Sequence, residues 1–273
     1  ISTGVSISFA MECFEEGILT LEDTDGLELT FGNAEAMVTM VERIALRQGL
    51  GDLLAEGTKR AAERIGKGSE AFAMHVKGLE IAMHEPRYKQ GMGLHYSVHA
   101  AGPDHCSGMH DDLISKNLTD WESVDVAESI PSTELSSRKA RMLYQVGIWR
   151  QLYNYLGLCI LVPWDFKQTQ EMTEAVTGWN MSHWRLMKAA ERGMTMARIF
   201  NLREGLTADD DKLPRRFAAS PTTGPLKDVA IDPEKLAQAK QVYYQMLGWD
   251  ASGVPTYGRL VELDIEWAKD YLG

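Results

Sequence analysis

The sequence predicts a mainly α, multihelical chain, because apolar residues recur at helical spacing in several segments, helix caps stand at segment ends, and few stretches alternate with period two. Ile7, Met11, Phe14 and Ile18 form the first stripe, with Glu12, Glu15 and Glu16 interleaved and Gly17 near the end. Asn33 is placed to cap a second helix by accepting a bond from an orphan backbone N–H. Met37, Val41 and Ile44 are its expected buried stripe, and Gly49 is the expected left-handed residue that closes it. Asp52 to Ile65 reads as a third, shorter helix. From His75 to Asp112 glycines, histidines, prolines and acids crowd without a sustained period, which predicts loops with short helical pieces. Periodicity returns from Ser137 to Tyr153, where Met142, Val146, Trp149 and Tyr153 share a face, and from Ser182 to Phe200 with Ser182 as cap. The proline-bearing stretch from Lys212 to Asp232 predicts a surface excursion. Asp232-Pro233-Glu234 then opens a last helix that Gly248 ends. The expected division is two helical domains, residues 1–75 and 76–273, the second carrying the histidine-rich segment.

Composition narrows the function. With 44% hydrophobic and 25% charged residues the chain is ordinarily globular, and 28 − 39 gives a net charge of −11. That field repels phosphate backbones and anionic headgroups, so no nucleic-acid or membrane partner is expected. Apolar runs such as Gly157 to Trp164 fall far short of the roughly 20 residues a span needs. Cys13, Cys106 and Cys159 form no even-numbered disulfide framework, which points to a reducing cytoplasm. The chain opens on Ile1 with helical periodicity and no signal-peptide pattern, so a fragment lacking an upstream part is expected.

Six of the seven histidines, His75, His84, His95, His99, His105 and His110, fall within 36 residues. His95 and His99 stand at i and i+4, and with His105 they suggest one chemistry, a zinc-dependent hydrolase or lyase. Gly102-Pro103-Asp104-His105 suggests another, a stiff turn presenting one imidazole with a carboxylate beside it. A neighbouring carboxylate favours a charged imidazole and burial opposes it, the balance that lets a histidine carry protons near neutral pH. Asn154-Tyr155-Leu156-Gly157-Leu158-Cys159 follows an amphipathic helix. Its glycine permits close backbone approach, its amide offers donor and acceptor, and its thiolate suits a soft metal. The plain alternative is a non-catalytic helical interaction module with solvated histidines and a core cysteine.

Together these pieces resemble the tungsten-containing aldehyde ferredoxin oxidoreductase family. Ile1-Ser2-Thr3-Gly4 with Ala10-Met11-Glu12 is similar to the stretch after that family's first Asp-x-x-Gly-Leu motif. Glu85-Pro86-Arg87 resembles its Asp-Pro-Arg turn, Gly102 to His105 its Gly-x-Asp-His, and Gly157-Leu158-Cys159 the end of its second Asp-x-x-Gly-Leu-Cys motif. Arg198 to Leu202, Leu213 to Phe217 and Tyr243 to Trp249 also look like family segments in the family's order. The resemblance covers essentially the whole chain. It implies the two helical C-terminal domains, the first of them partial, of an enzyme that oxidises an aldehyde to a carboxylate. A tungsten ion on two pterins, with molybdenum as the alternative metal, a (4Fe-4S) cluster and ferredoxin as acceptor complete the implied enzyme.

The resemblance assigns His105 to proton transfer, Asn154, Gly157 and Leu158 to cofactor contact, and Cys159 to the cluster. Three further cysteines of the cluster would come from a missing N-terminal domain, so the fragment alone is expected to lack cofactors and activity. Self-association into a homo-oligomer stays open. The chain departs from the pattern where Asn154 replaces the motif's Asp, where Ser107 stands near a lysine of some members, and where His84 stands at a tyrosine of others.

Overall fold

Helices carry the chain in the computed structural model, which describes residues 1–272. Two compact units form. One comprises residues 1–84, 101–103 and 212–217, and the other residues 85–100, 104–211 and 218–273.

The first unit begins with α1 (Ser2–Glu15), α2 (Ala34–Leu46), α3 (Leu50–Leu54) and α4 (Thr58–Ile65). The α1 stripe buries Ile7 and Met11 as expected, and Phe14 and Ile18 pack partly buried against the same core as Leu29, Met40 and Leu54. Asn33 caps α2 by accepting from the Ala36 amide at 3.0 Å. The expected α2 stripe is one position off, however: Ala36 and Met40 are buried, Met37 and Val41 are exposed, and Ile44 is partly buried. Small Ala36 lets the helix pack closely, which rotates the larger Met37 outward. Arg47, at φ 53°, closes α2 in place of Gly49, which lies at φ 50° ahead of α3. The single helix expected over Asp52–Ile65 is two, broken where Gly57 takes φ 89°. Glu80 supplies the cap that α4 lacks in its own sequence, its Oε1 accepting from the Thr58 amide at 2.7 Å. Glu80 stands on a two-strand hairpin, β1 (His75–Val76) and β2 (Leu79–Glu80), whose turn residues Lys77 and Gly78 both have positive φ. Across the same unit Arg216 forms a bidentate pair with Glu12.

The second unit is built on α7 (Ser137–Leu156), preceded by α5 (Gln90–Val98) and α6 (Asp111–Lys116) and followed by α8 (Phe166–Thr177), α9 (His183–Arg203), α10 (Pro233–Met246) and α11 (Tyr257–Glu262). α7 packs against α5, α9 and α10. Its predicted face of Met142, Val146, Trp149 and Tyr153 is buried. Ser182 caps α9 and Asp232 caps α10, as their sequences require. α5 is buried at every position, so no amphipathic period marked it in the sequence.

Buried ion pairs of this unit include two that join its helices and loops. Lys139 on α7 meets Asp111 on α6 at 2.6 Å with both side chains fully buried. The same carboxylate accepts from the Gly91 and Met92 amides at 3.1 and 3.0 Å, and so caps α5 as well. Arg198 on α9 pairs with Asp211 at 2.8 Å, and its Nε donates to the Gly253 carbonyl. No helix among the described residues is long and apolar enough to cross a membrane.

Candidate functional site

The histidine-rich segment is a loop held by its own side chains. His95, in the last turn of α5, is 2% exposed, and its Nε2 donates to the Asp104 carbonyl at 3.0 Å. Burial, with His99 beside it, pushes the His95 imidazole down to about 3, so it stays neutral and works as a pin. Gly108 allows this contact, since a Cβ there would lie 2.4 Å from the His95 ring. His110 donates from Nε2 to the His105 carbonyl at 2.9 Å. The carbonyls of two successive residues are thus each fixed by an imidazole.

Between these pins the Asp104 carboxylate folds back over the turn, accepting from the Cys106 amide at 2.9 Å and the Ser107 hydroxyl at 2.6 Å. Burial works to raise the Asp104 carboxyl, but these two donors and the nearby histidines outweigh it, and it lies below the usual carboxylate range. His105 is partly exposed, with its Nε2 3.5 Å from the Cys106 Sγ. Burial first, and then Asp104, pushes the Cys106 thiol up, while the Arg150 guanidinium opposes both.

Arg150 stands on α7, one turn before the second predicted motif. Gly157 ends α7 at φ 71°, and Leu158 N donates to the Tyr153 carbonyl at 2.8 Å, a left-handed helix stop. A Cβ on Gly157 would meet nothing within 4 Å, so its backbone angle is what demands glycine, not close approach by this chain. Asn154 and Cys159 are exposed and Leu158 is partly buried. The Cys159 carbonyl accepts from Trp164 Nε1 at 3.2 Å, and Tyr153 Oη donates to the Trp164 carbonyl at 2.7 Å, which curls residues 160–165 back toward α7.

Under this curl opens a cleft of about 640 Å³, lined by Trp121, Trp149, Arg150, Tyr153, Trp164 and Phe166 among others. Trp149 stacks on Phe166 with ring centroids 3.7 Å apart. Arg150 forms no hydrogen bond or ion pair among the described residues, and burial holds its guanidinium below its ordinary range. It was missed in the sequence, where a single arginine on an otherwise apolar helix face was the available signal.

The zinc set expected from His95, His99 and His105 is not formed. His95 spends Nε2 on a carbonyl, and although its ring lies 4.8 Å from that of His99, the gathered potential ligands among the described residues are Asp104, His105 and Cys106. Cys13 is buried in the first unit.

Residues 1–265 match the family model for aldehyde ferredoxin oxidoreductase, domains 2 and 3. The chain is 33% identical over 258 residues to a tungsten-containing aldehyde ferredoxin oxidoreductase of Thermococcus kodakarensis, covering 93% of this chain and 40% of that protein. It is 32% identical over 270 residues to the Pyrococcus furiosus enzyme of that name, covering 97% and 42%. A WOR-like subunit of an aliphatic sulfonate oxidoreductase from Pyrococcus furiosus is 29% identical over 283 residues, with 98% and 40% covered. Among solved structures, the active site complex BamBC of benzoyl coenzyme A reductase with 1,5-dienoyl-CoA shares the fold at a TM-score of 0.72 and 24% identity, over 98% of this chain and 44% of that one. The chain spans about two fifths of the length of the curated relatives it matches.

Proposed function

The chain belongs to the aldehyde ferredoxin oxidoreductase family, and from that membership we propose that the protein carrying it oxidises an aldehyde to a carboxylate and passes the electrons to ferredoxin. A tungsten–bis-pterin centre supplies the two-electron chemistry when bound, and a (4Fe-4S) cluster the one-electron exit. Cys159 fits the cluster: its thiol is exposed and follows a glycine-terminated helix end, which leaves room beside it. One thiolate is a quarter of the usual set, and the other cysteines here are a buried one and Cys106, so three ligands must come from outside this chain. Asn154, Gly157 and Leu158 would contact the pterin. An amide at 154 offers both donor and acceptor where a carboxylate only accepts. The chain alone would carry neither cofactor nor activity.

His105 moves the protons released when a water-derived oxygen joins the carbonyl carbon. The pins on the Asp104 and His105 carbonyls hold the segment in place, and the His105 Nε2 lies 3.5 Å from the Cys106 sulfur. Arg150 is the cation that the cleft offers to the carboxylate formed. The observation that supports this reading is the pair of imidazole pins on the Asp104 and His105 carbonyls, which fix the His105 backbone while its ring stays partly exposed. In the full-length enzyme His105→Asn should lower kcat by about a hundredfold or more with metal and cluster content unchanged. Wild-type kcat in that variant refutes the proton role, and Cys159→Ser with an intact cluster spectrum refutes the ligand role.

A further inference from the structure

Cys106 has no chemical role in the reading above, yet its sulfur lies 3.5 Å from the very imidazole nitrogen that reading relies on. One ligand atom each from Asp104, His105 and Cys106 lies within 4.8 Å of the others, and all three residues are partly exposed. Tetrahedral zinc, with bonds of about 2.0 to 2.3 Å, sets its ligand atoms about 3.3 to 3.8 Å apart. The histidine–cysteine pair already has that spacing, and a carboxylate oxygen lies no more than 4.8 Å from either atom.

We propose that Asp104, His105 and Cys106 form a three-ligand site for a thiophilic divalent cation such as zinc, with the fourth position open to solvent, and that filling it removes His105 from proton transfer. The first part stands on geometry, and only the second rests on the role given to His105. The donor set of imidazole, thiolate and carboxylate matches zinc in softness. Its outer shell is in place: His95 fixes the Asp104 carbonyl, His110 fixes the His105 carbonyl, and the Cys106 amide holds the carboxylate. On binding, the Cys106 S–H bond breaks, a zinc–sulfur bond forms, the proton goes to solvent, and no electron is transferred. Carboxylate and thiolate then balance the two charges of the ion. With three protein ligands and a carboxylate already engaged by two donors, affinity should be micromolar rather than that of a structural zinc site.

The test is titration of the purified enzyme with zinc chloride, reading the alkylation rate of Cys106 by peptide mass spectrometry alongside turnover. One zinc per chain should slow Cys106 alkylation at least tenfold, with the rate restored by EDTA. His105→Gln should weaken that protection at least tenfold, and Asp104→Asn serves the same purpose if the first variant fails to fold. Alkylation unaffected by zinc, or protection that survives both replacements undiminished, overturns the metal site. Turnover should fall in parallel with protection. Protection of Cys106 at full turnover leaves the metal site standing and overturns its inhibitory consequence together with the proton role of His105.

Discussion

His110 Nε2 donates to the backbone carbonyl of His105 at 2.9 Å, and since a carbonyl only accepts, the His110 proton sits on Nε2. Its Nδ1 is therefore the acceptor, 3.4 Å from the Lys89 ammonium, which in turn pairs with Asp112 at 2.7 Å. The His105 carbonyl and Lys89 thus select the same His110 tautomer from opposite sides of the ring, and His110 positions His105. The expected consequence is that Lys89→Met lets His110 exchange tautomers and loosens the loop. Nitrogen-15 NMR of the His110 ring should show the Nε2–H form in the wild type and a mixture in the variant. Turnover should drop by about three- to tenfold, the value of one lost hydrogen bond near 1 kcal/mol.

The pins also set a pH dependence. His95 is held down to about 3 in the fold, while an unfolded histidine titrates near its ordinary 6.5. Below that ordinary value the unfolded chain binds a proton that the folded chain refuses, so the stability given by neutral His95 is complete above about pH 6.5 and drains as pH falls toward 3. His95→Leu should lower stability at neutral pH, because it leaves the Asp104 carbonyl without its donor. It should also remove about 1.4 kcal/mol per pH unit of acid sensitivity between pH 6 and 4. Urea unfolding of both proteins across that range measures the difference in slope, and parallel slopes would refute it.

Asp111 and Lys139 tie α5, α6 and α7 together through one buried carboxylate. Removing either partner leaves the other charged and unpaired with no solvent access, so Lys139→Met and Asp111→Leu should each cost about 3 to 5 kcal/mol. The double variant should cost much less than their sum, because the stranded charge is gone and only the Gly91 and Met92 amides remain orphaned. Denaturant midpoints of the three variants test this, and additive losses would refute it.

How legible all this was depended on whether a residue's role was local. The caps at Asn33, Ser182 and Asp232 and the α7 face of Met142, Val146, Trp149 and Tyr153 were readable because each is decided by neighbours within a few positions. The break at Gly57 was hidden because an apolar period runs across it, and the cap on Thr58 comes from Glu80, 22 positions away. α5 was hidden by burial on all sides, and its first turn is capped from Asp111. In the candidate site, His105 and Cys159 were singled out in the sequence by their motifs. The pins at His95 and His110, the packing need of Gly108 and the solitary Arg150 were not, since each acquires its role only from a long-range partner or from the lack of one.

Arg150 makes the last prediction. Its guanidinium stands partly desolvated in an aromatic cleft with no counter-ion among the described residues, so an anion that enters meets a charge not yet neutralised. In the full-length enzyme Arg150→Met should weaken inhibition by the carboxylate product at least tenfold, a charged hydrogen bond being worth about 1.5 to 3 kcal/mol. The thermal midpoint should hold or rise slightly, because the replacement keeps the aliphatic stem and removes a partly desolvated cation that has no counter-ion among the described residues. Product-inhibition kinetics beside a melting curve separate the two effects. Unchanged product inhibition with a lowered midpoint would show that the guanidinium supports the fold and not the ligand.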